Sequence, residues 1–194
     1  MSIAEKLIAV SKNIAKVYAA GSGSQPSGSI EIKKNGTYDV TEKAEAVVNV
    51  PTESATVDGL IGCTLASLYN DRVTATGVYS LGYNRSMLRA ELPSVQTIAS
   101  YTFYNCTALE YVRLQKASRI EANAFRSCSA LKALVLDNPN GCTLVATSAF
   151  TSTAIEAGTG YIYVPDAIVS NYKAASNWAT YANQIKPISE LEGA

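Results

Sequence analysis

The chain has no histidine, one tryptophan, three phenylalanines and two methionines among its 194 residues, and its 16 Lys and Arg offset 16 Asp and Glu. Without histidine the commonest general base, the usual triad partner and the most versatile metal ligand are missing together. Serine-type, papain-type and zinc catalysis are therefore disfavoured. No phosphate loop replaces them, because Gly21-x-Gly23 lies in a serine-rich stretch with no apolar strand before it. The acidic residues Glu91, Glu110, Glu121, Asp137 and Glu156 are scattered, with no pair fixed at the facing geometry that glycoside hydrolysis requires. We expect no enzyme, no cofactor and no bound metal. A net charge of zero supplies no basic field for a phosphate backbone, so nucleic acid is not an expected partner. The chain also lacks an apolar run long enough for a bilayer, and Met1-Ser2-Ile3-Ala4-Glu5-Lys6 leads into no signal-peptide pattern. Neither membrane insertion nor export is expected, and the glycosylation sequon Asn84-Arg85-Ser86 is disregarded with them. The four cysteines (Cys63, Cys106, Cys128, Cys142) form no C-x-x-C pair, and two recur at one repeat position. They could form two bridges, but buried free thiols are the better reading.

What is present is a repeat. Leu92 recurs as Leu114 and Leu136, Ile98 as Ile120, Phe103 as Phe125, Cys106 as Cys128 and Leu109 as Leu131, a period of 22 residues. A further copy comes after an expansion near Asn138-Pro139-Asn140-Gly141; it puts Val145 and Phe150 where Ile120 and Phe125 stood and ends near Ile155. Upstream, a degenerate copy places Val73 under Val95, Leu81 under Phe103 and Met87 under Leu109. A period in the low twenties is one coil of a solenoid, whose apolar side chains are buried only when the next coil stacks on them. Glu110-Tyr-Val-Arg-Leu114 and Lys132-Ala-Leu-Val-Leu136 alternate, which predicts short strands with Val112 and Leu114 inward and Tyr111 and Arg113 outward. The stretch Ile-x-x-x-x-Phe-x-x-Cys-x-x-Leu predicts a turn leading into a short helix or 3₁₀ segment on the opposite wall.

The copies Ile98-Ala-Ser-Tyr-Thr-Phe-Tyr-Asn-Cys-Thr-Ala-Leu109 and Ile120-Glu-Ala-Asn-Ala-Phe-Arg-Ser-Cys-Ser-Ala-Leu131 resemble the BspA-type leucine-rich repeats of bacterial surface antigens and of phage and prophage proteins. Tyr161-Ile-Tyr-Val-Pro165, with Tyr172 to Trp178 and Tyr181 to Ile185, resembles the tail that closes such arrays. A last strand covered by a helix suits the open end of a solenoid: Asp166 would be the N-cap, Ile168, Val169 and Tyr172 would face the array, and Trp178 and Tyr181 would complete the cover. A sugar-stacking role for Trp178 is the alternative.

Ahead of the repeats, Ile3, Leu7, Val10, Ile14 and Val17 fall at heptad spacing, with β-branched residues at d, which favours three or more strands over a parallel dimer. The alternative is a helix that folds back on its own domain. The expected organisation is a heptad helix over 1–20 for oligomerisation or docking, a flexible Gly/Ser linker over 21–29 and a small β module over 30–51 with an Asn35-Gly36 turn. An N-terminal cap over 52–72, the repeats over 73–160 and a terminal strand with helical cap over 161–194 complete it. The fold class is thus α+β, a short leucine-rich repeat solenoid with parallel strands. Ile3-Ala-Glu-Lys-Leu7, Lys16-Val-Tyr-Ala-Ala-Gly21 and Asn35-Gly-Thr-Tyr-Asp-Val40 with Val47-Val-Asn-Val50 also resemble structural proteins of tailed phages and prophages of Gram-positive bacteria.

Those resemblances imply a virion protein of fibre type, on head or tail, made in the host cytoplasm and assembled with itself and other virion proteins. Its solenoid would contact a host-surface glycan or protein. A decoration protein that binds no receptor and a bacterial surface adhesin are the alternatives. Twelve tyrosines are the one compositional excess suited to a contact surface, several of them (Tyr79, Tyr83, Tyr101, Tyr104, Tyr111) in the first coils; the alternative is that they simply cover the solenoid wall with hydroxyls in water. The outward strand positions Arg89, Glu91, Tyr111 and Arg113 are the expected contact patch.

Overall fold

The repeats supply two sets of short strands, and only the first set shows as alternation in the sequence. The computed structural model describes residues 29–31, 47–49, 56–57, 67–71 and 73–192. The expected heptad helix with Ile3, Leu7, Val10, Ile14 and Val17, the linker up to Gly28, the Asn35-Gly36 turn and Cys63 lie outside the described residues.

One wall is a six-stranded parallel sheet whose strands lie side by side in chain order. Its strands are β4 (Ser67–Tyr69), β6 (Arg89–Glu91), β8 (Tyr111–Leu114), β10 (Ala133–Leu136), β12 (Tyr161–Val164) and β13 (Ile185–Pro187). Leu68, Ala90, Val112, Leu134, Ile162 and Ile185 align across it in register, and all six are buried. Alternation then turns their neighbours outward. A second wall is a five-stranded sheet of two-residue strands: β3 (Thr56–Val57), β5 (Ala75–Thr76), β7 (Thr97–Ile98), β9 (Arg119–Ile120) and β11 (Thr143–Leu144). Residues 52–72, expected as a cap, thus supply a strand to each sheet. A separate parallel pair joins β1 (Ser29–Glu31) to β2 (Val47–Asn49).

The second sheet corrects two expectations. The residues that open the Ile-to-Leu stretch pair as strands, and the remainder of that stretch forms a stack of turns; among the described residues only the coil at Thr147–Phe150 forms a 3₁₀ helix there. Each turn is tied to the next coil by backbone bonds, such as Phe103 N–H to the Ala124 carbonyl at 2.8 Å and Phe125 N–H to the Ala149 carbonyl at 2.9 Å. These inter-coil bonds displace the helical pattern. In the last coil Leu144, not Val145, stands beside Ile120, because the expansion is divided between the 138–141 loop and the stretch before Phe150.

Phe103, Phe125 and Phe150 stack in a fully buried row, with centroids 5.2 and 5.6 Å apart and planes 7° and 8° from parallel. Trp178 (centroid 6.0 Å) and Tyr181 (5.2 Å, edge-on) lie over Phe150, and Tyr172 lies edge-on to Trp178. The Trp178 indole N–H donates to the Cys142 carbonyl at 2.7 Å, and the ring is 1% exposed, so it offers no face for a sugar. Tyr172 lies on helix α1 (Val169–Ala174), with Ile168 and Val169 packed partly buried against the core. Asp166 does not cap this helix: the N-cap position is Ile168, and the Asp166 carboxylate accepts instead from the Ser189 backbone N–H at 3.2 Å.

Cys106, Cys128 and Cys142 are buried free thiols. Cys106 donates to the Leu81 carbonyl at 3.2 Å and Cys128 to the Phe103 carbonyl at 3.0 Å, one coil apart. Burial pushes the Cys106 and Cys142 thiols up to about 12 and the Cys128 thiol well above its usual range. An unfolded thiol titrates near about 8.5. A raised native pKa means the folded state keeps protons that the unfolded chain releases, so this stability is full below about pH 8.5 and is lost as pH rises toward 12. The urea midpoint should therefore be flat from about pH 7 to 8 and fall steadily above about pH 9. A thiol reagent at neutral pH should label these three only after unfolding; labelling of the native chain would contradict their burial.

Candidate functional site

The outward face of the six-stranded sheet collects the four residues expected as a contact patch. Parallel register sets Arg89 beside Tyr111 and Glu91 beside Arg113. The Arg89 guanidinium lies 3.8 Å above the Tyr111 ring centroid, a cation–π contact of about 0.5–1 kcal/mol at such a site. Arg89 Nε also donates to Glu91 Oε1 at 2.9 Å, and Arg113 Nε to Asp137 Oδ2 at 2.7 Å on the following coil. Burial raises the Tyr111 phenol above its ordinary range, with the cations Arg89 and Arg113 opposing that rise. The row continues along the axis through Val135 and Tyr163 to Lys186, whose ammonium sits 4.2 Å from the Tyr161 ring centroid. The face is a layer of rings and paired ions, and its charges are engaged with one another.

The wall of stacked turns carries a second surface. Tyr79 and Tyr101 stack with centroids 4.6 Å apart and planes at 11°. Tyr104 sits edge-on to Tyr79, Tyr101 and Tyr83 at 5.8, 5.6 and 5.2 Å. Three of the four hold left-handed backbone: Tyr79 at φ 58°, Tyr101 at 60° and Tyr83 at 62°. That region costs a residue with a Cβ about 1–2 kcal/mol and suits asparagine far better. Later coils hold the same conformation with smaller polar residues, asparagine at Asn105 and Asn123 and serine at Ser127 and Ser152. Packing among the rings pushes the Tyr79 phenol up, with the neighbouring tyrosines adding to this and Arg126 opposing it.

A family model for the BspA type leucine rich repeat region matches residues 63–170 in six copies. The chain belongs to the BspA-type leucine-rich repeat family. No curated protein matches it, and no solved structure does.

In this BspA-type array the strand-face residues Arg89, Glu91, Tyr111 and Arg113 come together because each occupies an equivalent outward position on adjacent coils. The heptad residues Ile3, Leu7, Val10, Ile14 and Val17 lie outside the described residues. In the sequence the turn-wall tyrosines show only as a compositional excess. Their signal is the substitution of Tyr79, Tyr83 and Tyr101 at positions where later coils carry Asn or Ser. Asn84 is fully buried and donates to the Leu81 carbonyl at 2.7 Å, so the sequon is no glycan acceptor in the folded chain.

Proposed function

We propose that this BspA-type repeat protein is an attachment scaffold: a phage virion protein of fibre type whose amino-terminal helix trimerises or docks on the particle while the solenoid contacts a host surface. The observation that supports attachment is the cluster of rings and ions on the outward sheet face formed by Arg89, Glu91, Tyr111 and Arg113 on adjacent strands. Its ions pair with one another, which suits recognition better than acid–base chemistry. The virion assignment rests on the likeness of Ile3–Leu7, Lys16–Gly21 and Asn35–Val40 to phage structural proteins. Linked copies would raise effective concentration, so weak single contacts would suffice.

Two measurements test this. Light scattering should give the full chain the mass of a trimer and a chain beginning at Ser29 that of a monomer; a monomeric full chain removes self-assembly and leaves a docked decoration protein. The full chain should cosediment with Gram-positive cell-wall material, and Tyr111→Ala combined with Arg113→Ala should weaken this at least about ten-fold, a loss typical of two central contact residues. A parent chain that stays in the supernatant rejects attachment.

A further inference from the structure

We propose that Tyr79, Tyr83, Tyr101 and Tyr104 form a carbohydrate-binding site at the start of the turn wall. This rests on the attachment reading and gives it a ligand class. Neither the backbone nor the core asks for these rings. At the Tyr101 position the next coil uses Asn123, and at the Tyr83 position it uses Asn105, with the same left-handed φ. The core behind them is already filled by Leu81 and Phe103, both fully buried. Three of the four rings are thus held on unfavourable backbone, with Tyr83 at 40% exposure. Strain kept in this way marks sites of use more often than accidents of packing.

The geometry selects a saccharide. The stack of Tyr79 on Tyr101 with Tyr104 edge-on is pre-ordered, so little rotamer freedom is left to lose on binding. Tyr79 and Tyr101 turn one face each to the other, so the cluster offers sugars its outward ring edges, with apolar C–H groups for sugar C–H groups and hydroxyls for sugar oxygens. Val78, 62% exposed beside Tyr79, extends the apolar edge. Up the wall the rows run on into amides and hydroxyls, Asn105, Asn123 and Ser127, and into Arg126 at the position of Tyr104 one coil higher. Four side chains on two coils fall short of the roughly 800 Å² per partner of a stable protein interface. Coil-to-coil spacing of about 4.8 Å repeats these groups along a line, which fits an extended oligosaccharide lying parallel to the solenoid axis.

The test uses the full chain on immobilised neutral and phosphate-bearing oligosaccharides, followed by titration calorimetry with the best binder. Tyr83→Asn and Tyr101→Asn each copy the residue of the next coil. Both should keep the thermal midpoint at or above the parent's, because strain is relieved, and lose affinity at least ten-fold. Preference for the phosphate-bearing probe, abolished by Arg126→Gln, would add the arginine to the site. The proposal is overturned if the parent binds no saccharide or the variants bind as the parent does. It also falls if the variants melt more than about 5 °C lower, since the rings would then be serving the fold. A parent that sediments with cell walls yet binds no saccharide sinks this proposal alone; one that does neither sinks attachment as well.

Discussion

Phe125→Ala is expected to cost about 4 kcal/mol and to lower the thermal midpoint by on the order of 10 °C. Phe125 has no solvent exposure and stacks on Phe103 below and Phe150 above, so truncation removes both ring contacts and leaves a cavity at the middle of the array. Each coil of a solenoid is supported only by its neighbours, so the coils on the two sides should melt separately. Two steps in a urea titration monitored by circular dichroism, with Trp178 emission reporting the C-terminal side, would show this. Phe103→Leu should cost far less, about 1 kcal/mol, since the same row already accepts Leu81 one coil below. A loss below about 1.5 kcal/mol for Phe125→Ala would mean that the coils close over the gap and that the aromatic row does not hold them.

Gly160→Ala is the second large effect, at about 3 kcal/mol or more. The reason is space. A Cβ at Gly160 would collide with the Leu131 carbonyl oxygen and press on Ile155 N and Ala154 C at 3.0 and 3.1 Å. All three are backbone atoms, so no side chain can swing aside. Gly160 N–H donates to the Ala154 carbonyl at 2.8 Å immediately before β12, and moving it would disturb the pairing of β12 with β10. Gly158→Ala is the control: its φ of 81° makes alanine strained, but the nearest atom is the Gln184 side-chain nitrogen at 3.7 Å. That substitution should cost only about 1 kcal/mol. Equal losses for the two, measured by chemical denaturation, would mean that torsion and not crowding sets the requirement at Gly160.

The repeat is legible in the sequence because apolar spacing reports directly which side chains face inward. Phe103, Phe125, Cys106 and Cys128 repeat in the sequence and are buried in one continuous core. Alternation at Tyr111-Val112-Arg113-Leu114 likewise carries its own direction, since successive strand residues face opposite ways. Two-residue strands such as Thr97–Ile98 leave no period to detect, so the second sheet gives no sequence signal and the spacing of its wall points to a helix instead. The one-residue slip at Leu144 has the same origin, because only the ladder partner of Ile120 decides it.

By itself, therefore, the amino-acid order determined the 22-residue period, the inward residues and the outward strand positions Arg89, Glu91, Tyr111 and Arg113. Each of these is a local property of spacing. Stacking decided the rest: that Arg89 rests on Tyr111, that Arg113 reaches Asp137 on the next coil, and that Tyr79 meets Tyr101 and Tyr83 meets Tyr104 across coils. Those contacts join residues about one period apart, and the inter-coil hydrogen bonds that set their register have no counterpart in any single repeat.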